Sequence, residues 1–262
     1  MMLKTFDFEI VNGVGRITMN QAERGNPIDK DFCREFKQLA IECDENPAVR
    51  SVLIDAYGSY FSVGGDIKGM TENRAALASM IKSAASELHE GLARLSRADV
   101  PVVVAAKSMV AGGANGLVAA ADVVIAAENT KFYAAFTMIG FSCDTGSSYF
   151  MPRRVGSRKA IEFYLLNQTW DAEQALDYGL INFIVSEPDL STESRLLAEE
   201  LAAGPTCAFG EIKRLMLSSF EQSLEKQLAD ETNAIARTAK TEDSWNALNA
   251  ILAKQKIDFQ GR

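Results

Sequence analysis

Two glycine pairs and one aspartate carry the chemistry that can be read from this chain. Gly64 and Gly65 lie in Phe61-Ser-Val-Gly-Gly-Asp-Ile-Lys68, and Gly112 and Gly113 lie in Ala111-Gly-Gly-Ala-Asn-Gly-Leu117. Each pair follows a β-branched apolar run and precedes a helix-like one. Without a Cβ the backbone can approach a ligand closely, and the first N–H groups of a helix are unpaired and partly positive. Two such turns aimed at one point would stabilise a carbonyl oxygen as it becomes an enolate or a tetrahedral oxyanion. Either turn alone could equally be a tight strand ending. The aspartate is Asp144, in Phe141-Ser-Cys-Asp-Thr-Gly-Ser-Ser-Tyr149 just before a helix start. A carboxylate there can shuttle a proton, or it can serve only as an N-cap or Asx-turn residue.

Other chemistries find little support. The four cysteines, Cys33, Cys43, Cys143 and Cys207, have no metal-ligand spacing and read as free thiols. His89 is the only histidine, which removes most of the basis for a zinc site or a Ser-His-Asp triad. It falls in the amphipathic stretch Ser86 to Leu95 and reads as a surface or packing residue. No metal site is expected.

The elements that must position these residues alternate. Phe6 to Val11 and Gly15 to Met19 read as strands joined at Asn12-Gly13, a hairpin signal, and Asp29 to Cys43 reads as a helix after Pro27. Val49 to Ile54 leads into the first glycine turn and Val100 to Ala106 into the second, with Met70 to Leu95 helical between them. Asp122 to Ala127 is a further strand. Strand, glycine turn and helix in repetition imply α/β architecture with a mainly parallel sheet. From Ser157 the pattern is almost wholly helical apart from Ile181 to Val185, and Gly204-Pro205 marks a break. Ala208 to Ser219 and a long stretch from Glu221 to about Lys254 then present apolar faces including Ile212, Leu215 and Met216. A core over 1–200 and a helical region over 201–262 are expected.

A net charge of −8 over 262 residues argues against a nucleic-acid binder. No apolar stretch is long and uncharged enough to span a bilayer, and the first residues lack the apolar core of a secretory signal. A cytoplasmic protein that binds neither nucleic acid nor membrane is the expectation.

The order of motifs resembles the crotonase, or enoyl-CoA hydratase/isomerase, superfamily over nearly the whole chain. The matching pieces are Asn26-Pro27, the two glycine blocks, Ala121-Asp122, Phe132, Gly140, Pro152-Arg153 with Val155-Gly156, and Ala172 to Leu180. The resemblance implies a spiral of ββα units with a C-terminal helical trimerisation region, assembled as a homotrimer or a dimer of trimers. It implies an acyl-CoA thioester substrate and no cofactor beyond that CoA, with a place in fatty acid or aromatic acid breakdown. It also implies that the N–H groups of Gly65 and Gly113 hold the thioester oxygen. The loops around Arg24, Ser62, Val63, Asp66, Ile67 and Lys68 would hold the CoA moiety, although Arg24 and Lys68 could equally be plain surface cations.

The sequence departs from the family's hydratases, which carry two glutamates at positions matching Gly116 and Phe136. Activation of water by two glutamates is therefore not expected. Asp144 matches a catalytic aspartate of two branches, the isomerases acting on epoxidised phenylacetyl-CoA and the 4-chlorobenzoyl-CoA dehalogenases, and Phe136 stands where the latter have Trp. With Phe136, Ile139 and Phe141 expected around it, Asp144 suits acid/base work in an enoyl-CoA isomerase. Hydration, dehalogenation and a non-catalytic CoA-thioester-binding subunit remain alternatives. Dehalogenation requires a histidine base; His89 lies on the corresponding helix, and alignment on the following proline sets it off that position.

Overall fold

The computed structural model describes residues 3–261. Strands β1 (Phe6–Val11) and β2 (Val14–Met19) form an antiparallel hairpin whose two loop residues, Asn12 and Gly13, both have positive φ. Such a turn matches the twist of its flanking strands. Parallel to β2 run β3 (Ser51–Ala56), β4 (Val102–Ala106), β6 (Val123–Ala127) and β9 (Phe183–Val185), in the order β1-β2-β3-β4-β6-β9. All five residues of β4 are buried, as a central parallel strand covered on both faces requires.

A second sheet holds β5 (Met109–Ala111), β7 (Lys131–Tyr133) and β8 (Thr169–Asp171), in the order β5-β7-β8. The chain runs from a strand of the large sheet into the small sheet and then into a helix. β4, β5 and α4 (Gly113–Ala120) form one such ββα unit, and β6 and β7 begin the next. After β3 the small-sheet strand shrinks to a single bridge, Ser62 pairing with Val110, before α2 (Ile67–Thr71) and α3 (Leu77–Arg97). The fold is the α/β spiral of ββα units that the motif order implied.

Helix α1 (Lys30–Glu45) is capped by Asp29, whose carboxylate accepts the Phe32 N–H at 3.0 Å. It buries Phe32, Phe36, Leu39 and Cys43 in the main core together with Leu88, Leu92 and Leu95 of α3. Cys33 and Cys43 lie on α1, and burial pushes both thiols up to about 12. Neither is a nucleophile at neutral pH. The opposite face of the large sheet is covered by α8 (Leu190–Ala202), whose Ala198 and Ala202 pack on Val14, Leu53 and Val103.

Two helical stretches differ from expectation. Residues 72–76 separate α2 from α3, where the Asn73 side chain accepts from the N–H groups of Ala75 and Ala76 and forms a turn ahead of the second helix. The last helical stretch divides into α10 (Leu224–Thr238) and α11 (Glu242–Leu252), since Thr241 accepts the Ser244 N–H and caps the second. Between the core and these lie α5 (Ser147–Val155), α6 (Ser157–Leu165), α7 (Ala172–Asp177) and α9 (Thr206–Ser218). Helix α9 is anchored by the buried Lys213, which donates to the Leu95 and Val100 carbonyls and pairs with Asp122. Outward, α9 to α11 leave Met216, Phe220, Leu228, Ile235, Trp245 and Leu248 exposed.

Candidate active site

Sheet register brings the two glycine pairs together. Ser62 pairs with Val110 and Val110 with Phe132, so three residues further on Gly65 and Gly113 occupy matching places on adjacent turns of the spiral. The backbones touch there: a Cβ on Gly64 would lie 3.0 Å from the Ala111 carbonyl oxygen. Gly113 is the first residue of α4, so its N–H has no intrahelical acceptor. Among the described residues the Gly65 N–H has no acceptor either. Gly112, before it, has φ +54 and ψ −123, a conformation open to glycine and costly for any other residue. The two donors differ in setting. Gly113 opens an eight-residue helix, whereas Gly65 precedes a helix of one turn and acts as a loop N–H.

Each turn is held by a buried asparagine. The Asn26 carboxamide donates to the Tyr57 and Tyr60 carbonyls, both at 3.0 Å. The Asn26 carbonyl accepts from Ser62 Oγ at 2.7 Å, and Ser62 Oγ accepts the Gly64 N–H. Asn115 donates to the carbonyls of Gly112 and Tyr133 at 3.2 and 2.8 Å. These donated bonds fix the geometry of the turns, each contributing about 0.5–1.5 kcal/mol, although the side-chain Oδ1 atoms of Asn26 and Asn115 are buried with no partner among the described residues. The supporting role of both asparagines was not evident from the motifs: Asn26 bonds backbone more than thirty residues away, and Asn115 joins the local Gly112 carbonyl to that of Tyr133 on another strand.

Asp144 does not cap α5. That N-cap is Gly146, and the Asp144 carboxylate accepts only from Thr145 Oγ1, at 2.9 Å, among the described residues. The acid instead borders the cradle, since a Cβ on Gly113 would lie 3.3 Å from Asp144 Oδ1. Thr145 is buried with φ +53, a left-handed backbone for a β-branched residue that costs on the order of 1–3 kcal/mol. Its carbonyl fills the space beside Gly116, where a Cβ would meet it at 2.1 Å. Its N–H donates to His89 Nε2 at 3.0 Å. His89 is exposed, as a surface residue was expected to be, and α3 also carries its ring to the residue following Asp144, a contact that reading did not include. That contact spans 56 residues and left no local signal.

A cavity of about 710 Å³ joins these groups. Gly65, Gly113, Asp144, Val63, Asp66, Ile67, Phe136 and Phe141 all line it, whereas Arg24, Ser62 and Lys68 do not. Ser62 is buried in the turn that it clasps. Arg24 is held at 2.9 Å by both Asp29 and Asp66, and its side chain is 47% exposed. Ile139 also lines the cavity, and Met70, Met80, Ile81 and Leu88 complete its apolar wall. Cys143, next to the acid, has its thiol raised by burial and is a poor nucleophile.

Two backbone N–H groups on adjacent turns of the spiral, unpaired among the described residues and beside one carboxylate in a largely apolar cavity, are an arrangement suited to holding a carbonyl oxygen on which negative charge develops. The chain belongs to the enoyl-CoA hydratase/isomerase family, whose model matches residues 9–262, and enzymes of this family act on acyl-CoA thioesters. It is 28% identical over 254 residues to the 1,2-epoxyphenylacetyl-CoA isomerase of Escherichia coli K12, covering 97% of each chain. It is 27% identical over 218 residues to 4-chlorobenzoyl coenzyme A dehalogenase-2 of an Arthrobacter species, covering 83% of this chain and 79% of that one. A Mycobacterium abscessus crystal structure assigned as an enoyl-CoA hydratase/isomerase superposes with a TM-score of 0.93 at 32% identity, over 98% of this chain and all of that one.

Proposed function

We propose that this enzyme is an enoyl-CoA isomerase that moves a double bond with Asp144 as its single acid/base. The carrying observation is the adjacency of Asp144 to Gly113 in a cavity where positions 116 and 136 bear no carboxylate. With a 3-enoyl thioester, the Asp144 carboxylate removes a proton from C2. The C–H electron pair enters a dienolate, whose oxygen is held by the N–H groups of Gly65 and Gly113. The carboxyl then returns the proton at C4, leaving the double bond between C2 and C3. No cofactor is needed beyond the substrate's own CoA. Val63, Asp66 and Ile67 would flank the thioester arm at the cavity mouth, and the apolar wall with Phe136 and Phe141 would hold the acyl group. Arg24 would reach a CoA phosphate by giving up one of its two carboxylates. The exposed apolar faces of α9 to α11 support assembly of several copies of the chain.

One observation favours a second reading. His89 lies against the Asp144 turn, and a neighbouring histidine could serve hydrolysis of an aryl ester formed when Asp144 displaces a halide. Incubation with 3-enoyl, 2-enoyl and 4-chlorobenzoyl thioesters, followed by mass, separates the outcomes. Isomerisation leaves mass unchanged with a new chromatographic peak, hydration adds one water, and dehalogenation exchanges chlorine for hydroxyl. Asp144→Asn keeps the shape of the side chain and removes the base. Isomerase turnover should fall at least about 100-fold while thioester binding persists, and wild-type turnover in this variant would reject the assignment.

A further inference from the structure

Thr145 is constrained on every side that its neighbours reach. Its Oγ1 bonds Asp144, its carbonyl fills the space beside Gly116, and a Cβ on Gly113 would lie 2.7 Å from its Oγ1. Its backbone nevertheless sits in the left-handed region that a β-branched residue avoids. The one hydrogen bond that its N–H makes is to His89 Nε2, on another element. A ring nitrogen that accepts an N–H is unprotonated, so the proton of this imidazole is on Nδ1.

From this geometry we infer that His89 is a positioning residue for Asp144. Its neutral imidazole clamps the Thr145 N–H, holds the left-handed turn in place and so fixes the carboxylate beside the Gly113 N–H. The Nε2 lone pair is occupied in this arrangement, so His89 does not act as a base toward substrate or water. The inference rests on Asp144 being the acid/base, and it turns the histidine from an argument for ester hydrolysis into a support for proton shuttling.

Because His89 is the only histidine, ¹⁵N-histidine labelling of untagged protein gives an imidazole spectrum that needs no assignment. The expected spectrum has a protonated Nδ1 and an unprotonated Nε2, the latter coupled through a hydrogen bond to one backbone amide. It should be the same in Asp144→Asn. A protonated Nε2, or one coupled to no amide, would overturn the inference without any activity measurement. In the double-bond migration assay, His89→Ala should lower kcat on the order of 10- to 100-fold through misplacement of the acid, with KM and thioester binding within about threefold. His89→Gln, whose amide oxygen can accept the same N–H, should recover most of the rate. Unchanged kcat in His89→Ala, or His89→Gln as slow as His89→Ala, contradicts a positioning role. Asp144→Asn in the same assay separates the two claims. If it turns over normally the isomerase reading falls and the spectrum alone judges His89; if it collapses while His89→Ala is unaffected, only the positioning role falls.

Discussion

Gly116→Ala is the smallest change that tests how the acid is held. The added methyl would meet the Thr145 carbonyl oxygen at 2.1 Å, the Thr145 carbonyl carbon at 2.9 Å and Ser147 Oγ at 2.9 Å. Ordinary contact begins near 3.4 Å, so the Thr145 carbonyl must retreat by about 1.3 Å. No flexible side-chain end can absorb this, because the obstacle is main chain already fixed in a left-handed conformation. Overpacking of this kind costs about 1–3 kcal/mol, and a domain of this size loses roughly 2–4 °C of Tm for each kcal/mol. Calorimetry at fixed protein concentration should therefore show a fall of roughly 2–12 °C. Moving the Thr145 carbonyl also moves Asp144, and a displacement near 1 Å can cost about 100-fold in turnover. A Gly116→Ala protein that melts within about 1 °C of wild type and keeps its rate would refute the packing argument and the placement of Asp144 derived from it.

Two further outcomes concern the C-terminal helices. Glu211 of α9 is held down to about 2, chiefly by its hydrogen bonds with Arg237 of α10 and also by Arg214. A carboxylate lowered in the folded state contributes stability above its ordinary value of 4.5 and loses it as pH falls toward 2. Amide exchange in α10 should accordingly accelerate across that window in wild type, whereas Glu211→Gln should already be fast at pH 7 and insensitive to pH there. Trp245, Leu248 and Ile251 form one exposed stripe on α11. Light scattering at micromolar concentration should give about three or six times the 28.5 kDa chain mass, and Trp245→Glu with Leu248→Glu should lower it; a wild-type monomer would count against assembly through this face.

What could be read from the chain was mostly what is local. The hairpin at Asn12-Gly13 and the buried run of β4 follow from residue preferences within a few positions, and they stand where the pattern put them; the helix read from Asp29 begins one residue later, with Asp29 as its cap. The two glycine turns were legible as local strand endings, and their pairing came only with the order of motifs; the register of Ser62 with Val110 sets them side by side. The helix interruptions were hidden because Asn73 and Thr241 act through side-chain bonds to nearby backbone that hydrophobic periodicity does not register. His89 and Asn26 were missed as supports because their partners are joined by the spiral rather than by sequence, and the same holds for the bond of Asn115 to the Tyr133 carbonyl.

The lost glutamates and the retained aspartate are one structural event. Position 116, where hydratases resembling this chain carry the first glutamate, faces α5 across the Thr145 turn, and the carbonyl of that turn takes the place of any side chain. Thr145 sits there with a left-handed backbone, and the Asp144 carboxylate beside it lies against Gly113. A glutamate at 116 and the Thr145 carbonyl therefore compete for the same volume within this loop geometry. Gly116→Glu alone should not create a hydratase: the chain would have to rebuild residues 142–147, and in doing so would surrender Asp144. On the proposed isomerase reading, the path of this turn both closes position 116 to a glutamate and sets the acid beside Gly113.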